Sequence, residues 1–160
     1  MSSGPTATRT VALVLLLTAA CRHPGLTAVA GGVVLDERSG LEWTSRDHER
    51  ALNWDEADRY CRELAIGERR EWRLPELSEV ETIYDVRVDE PCGDRRCHLI
   101  SLIQVGGPYV WTATSRGPGT RFYFDLSYGN SLSPGVTPTL VRRVLCVRGL
   151  PAPAPSATAQ

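Results

Sequence analysis

Five cysteines limit the folds open to this chain more than any other feature of its sequence. They are Cys21, Cys61, Cys92, Cys97 and Cys146 in a chain of 160 residues. In a reducing compartment such residues serve as free thiols or metal ligands, whereas in an exported protein an even number of them predicts disulfides. The role of the cysteines therefore depends on whether the chain is exported.

The N-terminal segment predicts export. Residues 1–10 carry one charge, Arg9, and the apolar run VALVLLLTAA that follows ends at Cys21. This run is too short to span a bilayer and has the length of the hydrophobic region of a signal peptide. The motif LTAAC resembles a bacterial lipobox, so we predict a signal peptide over 1–20 and lipidation of Cys21. Arg22 follows the cysteine in place of aspartate, which by resemblance to enterobacterial sorting implies the outer membrane. Ordinary secretory cleavage near the same site is the alternative.

Without Cys21, the remaining cysteines form an even set. Cys92 and Cys97 are close enough in PCGDRRC to close a small loop, which leaves Cys61 to pair with Cys146. In the chain-entropy model, a loop as long as the second stabilises the fold by about 4 kcal/mol. A zinc site is disfavoured, because the spacing is not CxxC and the nearest histidine stands alone.

Composition predicts one folded domain with short extensions. We assign 21–31 to a lipidated tether, 32–149 to the domain and 150–160 to a disordered Pro/Ala-rich tail. The formal net charge of −1 gives the chain no overall electrostatic preference for an acidic or a basic partner. We therefore expect the chain to bind the membrane through its lipid and not to bind nucleic acid.

Two helices are predicted in the first half of the domain. The segment NWDEADRYCRELAIG begins with Asn53 as N-cap, has Glu56 in position for a capping box and reaches Gly67 as a C-cap. In the second helix Pro75 suits the first turn. Its apolar face is formed by residues at helical spacing, namely Leu77, Val80, Ile83 and Tyr84.

Strands are predicted on both sides of these helices. GVVLDERSGLEWTS predicts a hairpin, and later strands are predicted over 109–114, 121–127 and 139–149. In 121–127, Phe122, Phe124 and Leu126 alternate with polar positions, which predicts one buried face. The predicted fold class is α+β, with two helices and a small, mostly antiparallel sheet stapled by disulfides.

Five segments, in order, resemble the Lcl C-terminal domain family, named for a Legionella collagen-like protein. They are DERSGLEWT, NWDEADRYCREL, EWRLPELSEV, YVWTATS and VLCVR, which span Asp36 to Arg148. The chain departs from the family pattern at Glu76, where threonine is common, and at Thr112-Ala113, where two serines are common.

The resemblance implies a C-type-lectin-like fold in which the first and last strands pair. It also implies a disulfide from the first helix to the last strand, in agreement with the Cys61–Cys146 pair reached from the cysteine positions. Proteins of this type are linked to adhesion through sulfated polysaccharides.

Enzymatic activity is not indicated. The acids around EWRLPELSEVE suit the positive end of a helix dipole better than an acid–base pair, and no serine has a nucleophile motif. Arg73 lies between two predicted core residues, so we expect it to tie loop carbonyls together. We predict no catalytic residues, no cofactor and no resident metal. The loop VDEPCGD leaves a weak calcium site open through Asp89, Glu90 and Asp94.

The late half of the chain combines arginines with aromatic residues. Exposed arginines beside aromatic rings are suited to acidic or sulfated glycans. The candidate ligand-binding residues are Arg116, Arg121, Arg142, Tyr123 and Tyr128. We predict a non-enzymatic binding lipoprotein of the bacterial cell envelope. The alternative is a structural lipoprotein that contacts another envelope protein without a glycan, and a hydrolase is the least favoured function.

Overall fold

The computed structural model describes residues 25–133, 135 and 137–149. The helices are α1 (Trp54–Glu63) and α2 (Leu77–Ile83). The strands are β1 (Leu26–Val29), β2 (Val33–Asp36), β3 (Leu41–Thr44), β4 (Glu90–Cys92), β5 (Arg95–Cys97), β6 (Tyr109–Trp111), β7 (Tyr123–Asp125), β8 (Asn130–Leu132) and β9 (Val147–Arg148). The predicted signal peptide, the lipidation site Cys21 and the predicted tail over 150–160 lie outside the described residues.

The strands form three small antiparallel sheets. Their orders are β1-β2-β3-β9, β4-β5 and β6-β7-β8. With two helices and two disulfides, this arrangement confirms the predicted α+β class. Within the described ranges, no helix is both long enough and apolar enough to cross a membrane.

The folded unit begins before residue 32, where we had expected it to start. Residues 26–29, inside the segment predicted to be a tether, form β1 and pair with β2 from Leu26 opposite Asp36 to Val29 opposite Val33. Leu26 is buried in the larger core cluster. Since a strand this short carries little hydrophobic pattern, the small residues around it made the segment resemble a linker.

The last strand pairs with the predicted hairpin, but not with the first strand of the sheet. β9 lies beside β3, with Trp43 opposite Val147, whereas β1 forms the other edge. The expectation that the first and last strands pair is therefore wrong, because β9 adds to β3, the second strand of the predicted hairpin.

Helix α1 begins as predicted and ends early. Asn53 Oδ1 accepts a hydrogen bond from the Glu56 N–H at 3.0 Å, and Glu56 Oε2 accepts one from the Asn53 N–H at 3.2 Å, which confirms the capping box. The helix stops at Glu63, and Gly67, with φ 60°, belongs instead to the turn that follows. Ala57 and Cys61 on its apolar face are buried.

Helix α2 buries the predicted face through Val80 and Ile83, while Leu77 and Tyr84 are partly buried against the same core. It begins at Leu77, so Pro75 precedes the helix and does not lie in its first turn.

The late strands differ most from expectation. Residues 122–126 are all buried, because Tyr123 packs into one core cluster and Phe124 into the other. The strand predicted over 139–149 is reduced to β9, and upstream of it Arg142 and Arg143 make only single bridges, to Leu52 and Val110. Alternation in the sequence marked the strand β7 correctly but could not show that both of its faces are covered.

Two disulfides join the predicted partners. Cys61 on α1 is bonded to Cys146 with a Cα–Cα distance of 5.5 Å, and Cys92 is bonded to Cys97 at 5.8 Å. All four residues are buried.

Candidate functional site: arginines stacked on aromatic rings

Two tyrosines and two arginines form one connected group, here called the arginine–tyrosine cluster. The guanidinium carbon of Arg142 lies 4.3 Å from the ring centroid of Tyr123 and 5.0 Å from that of Tyr109. The guanidinium carbon of Arg95 lies 5.8 Å from the same Tyr109 ring. The two tyrosine rings meet edge to face at 5.5 Å. Because Tyr109 contacts both arginines, the cluster places two cations on one surface.

Two further arginines make the same kind of contact. Arg121 lies over the ring of Trp54 at 4.1 Å, and Arg116 lies over Phe122 at 5.2 Å. Arg116 is exposed, whereas Arg121 is half-buried. Stacking of a guanidinium on an aromatic face contributes about 0.5–2 kcal/mol and keeps the planar group in one orientation.

The positions of the rings follow from local structure. Tyr109 and Trp111 lie on β6, and Tyr123 lies opposite Trp111 on β7. Trp54 opens helix α1, and its indole N–H donates to the Thr112 carbonyl at 2.8 Å, which fixes the ring beside β6. The regular sheet thus supplies the platform on which the arginines lie.

These four arginines differ from others in the chain in that no described acidic side chain neutralises them. Within the described residues, none of Arg95, Arg116, Arg121 and Arg142 forms an ion pair. Arg73 and Arg148, in contrast, each lie within 3.2 Å of a glutamate. The stacked arginines therefore keep their positive charge available to an outside anion.

The hydrogen bonds of Arg121 and Arg142 leave one side of each group open. Arg142 Nη1 donates to the Val141 carbonyl at 2.8 Å, and Arg121 Nη1 donates to Ser115 Oγ at 3.0 Å. The Nε of each is buried without a hydrogen-bond partner in the described part of the chain. No described atom accepts a hydrogen bond from either Nη2.

The predicted ligand residues lie in four different environments. Arg121 and Arg142 are partly buried on aromatic rings, and Arg116 is exposed. Tyr123 is only 6% exposed, so it supports Arg142 from below and does not present a surface to a sugar. Tyr128 is 73% exposed and lies in a separate cleft with Arg95. Sequence reasoning missed Trp54, because no local pattern joins it to Arg121.

Arg143, the neighbour of Arg142, serves the structure. Its Nη1 donates to the Glu49 carbonyl and its Nη2 to the Gly106 carbonyl, each at 2.8 Å, and its Nε lies 3.5 Å from Asp47. Burial raises the pKa of Asp47 above its ordinary value, although the Gly106 N–H and the charge of Arg143 oppose the rise. The two adjacent arginines have separate sets of partners, as expected of neighbours in an extended segment.

The acids of the segment EWRLPELSEVE are also structural where they are buried. Glu79 is 4% exposed, and both of its oxygens accept hydrogen bonds from Arg73 at 2.7 Å. The hydrogen bond to Glu79 raises the pKa of Arg73. Arg73 also donates to the carbonyls of Leu74 and Gly149, at 3.2 and 3.4 Å, as predicted. The carboxylate partner was not predicted, because the pair bridges a loop and a helix.

In the acidic loop over 89–94, the carboxylate of Asp89 pairs with an arginine. Asp89 Oδ1 accepts a hydrogen bond from Arg96 Nε at 2.9 Å, and this bond lowers the pKa of Asp89. Among the described residues, no three histidine, cysteine or acidic side chains converge as a metal site requires.

Comparison with known proteins found one relationship. Neither the curated proteins nor the solved structures include a match. A family model described as the Lcl C-terminal domain matches residues 32–148. This range runs from the start of the β2–β3 hairpin through both helices to β9, and it contains both disulfides. The chain therefore belongs to the Lcl C-terminal domain family.

Proposed function

We propose that this chain is a non-enzymatic binding protein of the bacterial cell envelope whose domain holds acidic or sulfated glycans. The observation that carries the proposal is the set of four arginines that lie on aromatic rings without an ion pair among the described residues. Membership of the Lcl C-terminal domain family supports a surface-associated role.

The chemistry of the guanidinium group favours such a ligand. A planar guanidinium offers parallel N–H donors that match two oxygens of a sulfate or carboxylate, and the charge strengthens each hydrogen bond. Contact with the rings of Tyr109 and Tyr123 restricts the position of the Arg142 guanidinium before a ligand arrives. Preorganisation of this kind reduces the entropy lost on binding.

The buried carboxylates support binding over catalysis. Asp36 accepts hydrogen bonds from the Arg38 N–H and the Ser39 hydroxyl, and Asp125 accepts one from the Ser127 N–H. Glu79 is engaged by Arg73. Each of these acids thus has a role in a turn or an ion pair, which favours a binding domain.

Contact with another envelope protein is the second candidate. β8 forms an edge of the β6-β7-β8 sheet, and Asn130, Ser131 and Leu132 are all exposed. An open edge presents unpaired backbone groups on which another chain can add a strand. Its short length makes this the weaker of the two functions.

Glycan binding is tested by titrating the chain with heparin, hyaluronate and an uncharged dextran at low ionic strength. We expect binding to the two acidic polymers and none to dextran. Because the contact is between charges, affinity for heparin should fall as salt is raised, in keeping with a screening length of about 10 Å at 0.1 M. Equal binding to dextran, or no binding to either acidic polymer, would reject the function.

Anchoring through Cys21 is a separate part of the proposal, supported by the lipobox-like LTAAC. Labelled palmitate is expected to enter the wild-type protein and to be absent from Cys21→Ala when both are expressed in a bacterial host. Fractionation should then place the wild type in the outer membrane. Equal labelling of the two proteins would contradict lipidation at this residue.

A further inference from the structure

A separate open cleft of about 380 Å³ adjoins the arginine–tyrosine cluster. It is lined by Arg95, Arg96, His98, Ser127 and Tyr128. The lining contains two arginines and no carboxylate, whereas the chain as a whole has a formal net charge of −1. Its chemistry therefore favours an anionic group.

The two arginines of the cleft differ in how far they are neutralised. Arg96 is paired with Asp89 at 2.9 Å, whereas Arg95 has no ion pair among the described residues and is held only by its contact with Tyr109. Arg95 is thus the principal free cation of the cleft. It is also shared with the arginine–tyrosine cluster, which makes the two surfaces continuous.

The side chains opposite add hydrogen bonding and an apolar surface. His98 Nδ1 lies 2.6 Å from the Val88 carbonyl, which can only accept, so Nδ1 carries the proton and the ring is fixed. Tyr128 is 73% exposed, and an exposed aromatic ring of this kind is suited to pack on the face of a sugar.

The cleft is held in shape by covalent and backbone contacts. The Cys92–Cys97 disulfide closes the β4–β5 hairpin that carries both arginines. The Ser127 hydroxyl donates to the Arg96 carbonyl at 2.7 Å and so ties the turn after β7 to β5. Gly129 completes that turn at φ 68°, where a Cβ would lie 2.6 Å from the ring of Tyr84. The walls are therefore positioned before any ligand binds.

We propose that this cleft is a second anion subsite, and that one glycan chain extends from it across Tyr109 to Arg142. The inference rests on the proposed function and adds a requirement on the ligand. A glycan must carry at least two anionic groups along its length to occupy both ends, so an extended sulfated or carboxylated chain binds and a single acidic sugar does not bind well.

The test compares a heparin octasaccharide with a heparin-derived monosaccharide that carries a single sulfate, by calorimetric titration of the full chain. The wild type is expected to bind the octasaccharide at least about tenfold more tightly, since two linked contacts act together. Tyr128→Ala and Arg95→Gln should each weaken octasaccharide binding by about tenfold. Arg50→Gln is the control, because Arg50 is exposed and makes no described ion pair or ring contact.

The outcomes separate the subsite from the proposed function. If both cleft variants bind the octasaccharide as tightly as the wild type while Arg142→Gln weakens it, the cleft is not a subsite and glycan binding stands. Equal wild-type affinity for the two heparin fragments would also overturn the subsite. If the wild type binds neither fragment, the proposed function itself fails.

Discussion

Replacing Cys61 and Cys146 together by alanine is expected to lower the free energy of unfolding by about 4 kcal/mol. The bond closes a sequence separation of 85 residues and joins α1 to the segment that leads into β9. Loss of the bond leaves the unfolded chain less restricted. Because both residues are fully buried in the folded state, it also leaves two elements of the core unlinked. Urea denaturation followed by tryptophan fluorescence measures the change.

The second disulfide provides the matched control. Cys92 and Cys97 are separated by only 5 residues, and the same entropy model assigns their bond about 2 kcal/mol. The double alanine variant of this pair should therefore lose roughly half as much stability. A loss equal to or greater than that of the Cys61–Cys146 variant would contradict the role of the long-range bond.

Replacing Arg73 by methionine is expected to lower the free energy of unfolding by about 3 kcal/mol. The change removes the two hydrogen bonds that the Glu79 carboxylate accepts from Arg73 and leaves this side chain, which is 5% exposed, with only the one from the Glu76 N–H. The Arg73 side chain is itself 28% exposed, which places the effect at the lower end of the range for buried pairs. Chemical denaturation at neutral pH gives the measurement.

Two further variants show whether the unpaired charge is the cause. Arg73→Met combined with Glu79→Leu should recover much of the lost stability, because no buried charge then remains. Arg87→Met, which removes a solvent-exposed pair with Asp85, should cost much less stability than Arg73→Met. If the double variant is no more stable than Arg73→Met alone, the effect comes from lost packing and not from the ion pair.

Local signals in the sequence predicted the elements that local interactions determine. The capping box of α1 depends on Asn53 and Glu56, which are near neighbours in the chain, and it forms as predicted. The hairpin over β2 and β3 depends on two apolar runs and a turn between them. The disulfide pairing also followed from the sequence, because a close pair of cysteines leaves one choice for the rest.

Elements fixed by tertiary contacts were not predicted as well. β1 is stabilised by pairing with β2 and by burial of Leu26, neither of which appears in its own composition. β7 lies between two core clusters, so its polar-looking Tyr123 and Asp125 are buried. The C-type-lectin-like fold stays a prediction, since no solved structure matches.

The candidate site was likewise only partly predictable from the sequence, because tertiary contacts determine it. The excess of arginine in the late half is visible in the sequence, but the contact of Arg95 with Tyr109 and of Arg121 with Trp54 joins distant segments. Arg142 and Arg143 are alike in sequence, yet one lies on two tyrosines and the other holds three loop groups. Their partners in the folded chain decide which arginine is available to a ligand.

The most direct test of the account measures heparin affinity in two charge-matched double variants of the full chain. Arg121→Gln with Arg142→Gln removes two stacked arginines, while Arg50→Gln with Arg59→Gln removes two exposed arginines that make no described ion pair or ring contact. At about 1.5 kcal/mol or more for each charged hydrogen bond lost, we expect the first variant to bind at least about 100-fold more weakly. The second should bind nearly as tightly as the wild type, and both should remain folded by circular dichroism. Equal weakening in the two variants would show that heparin responds only to net charge and would contradict a site built on the stacked arginines.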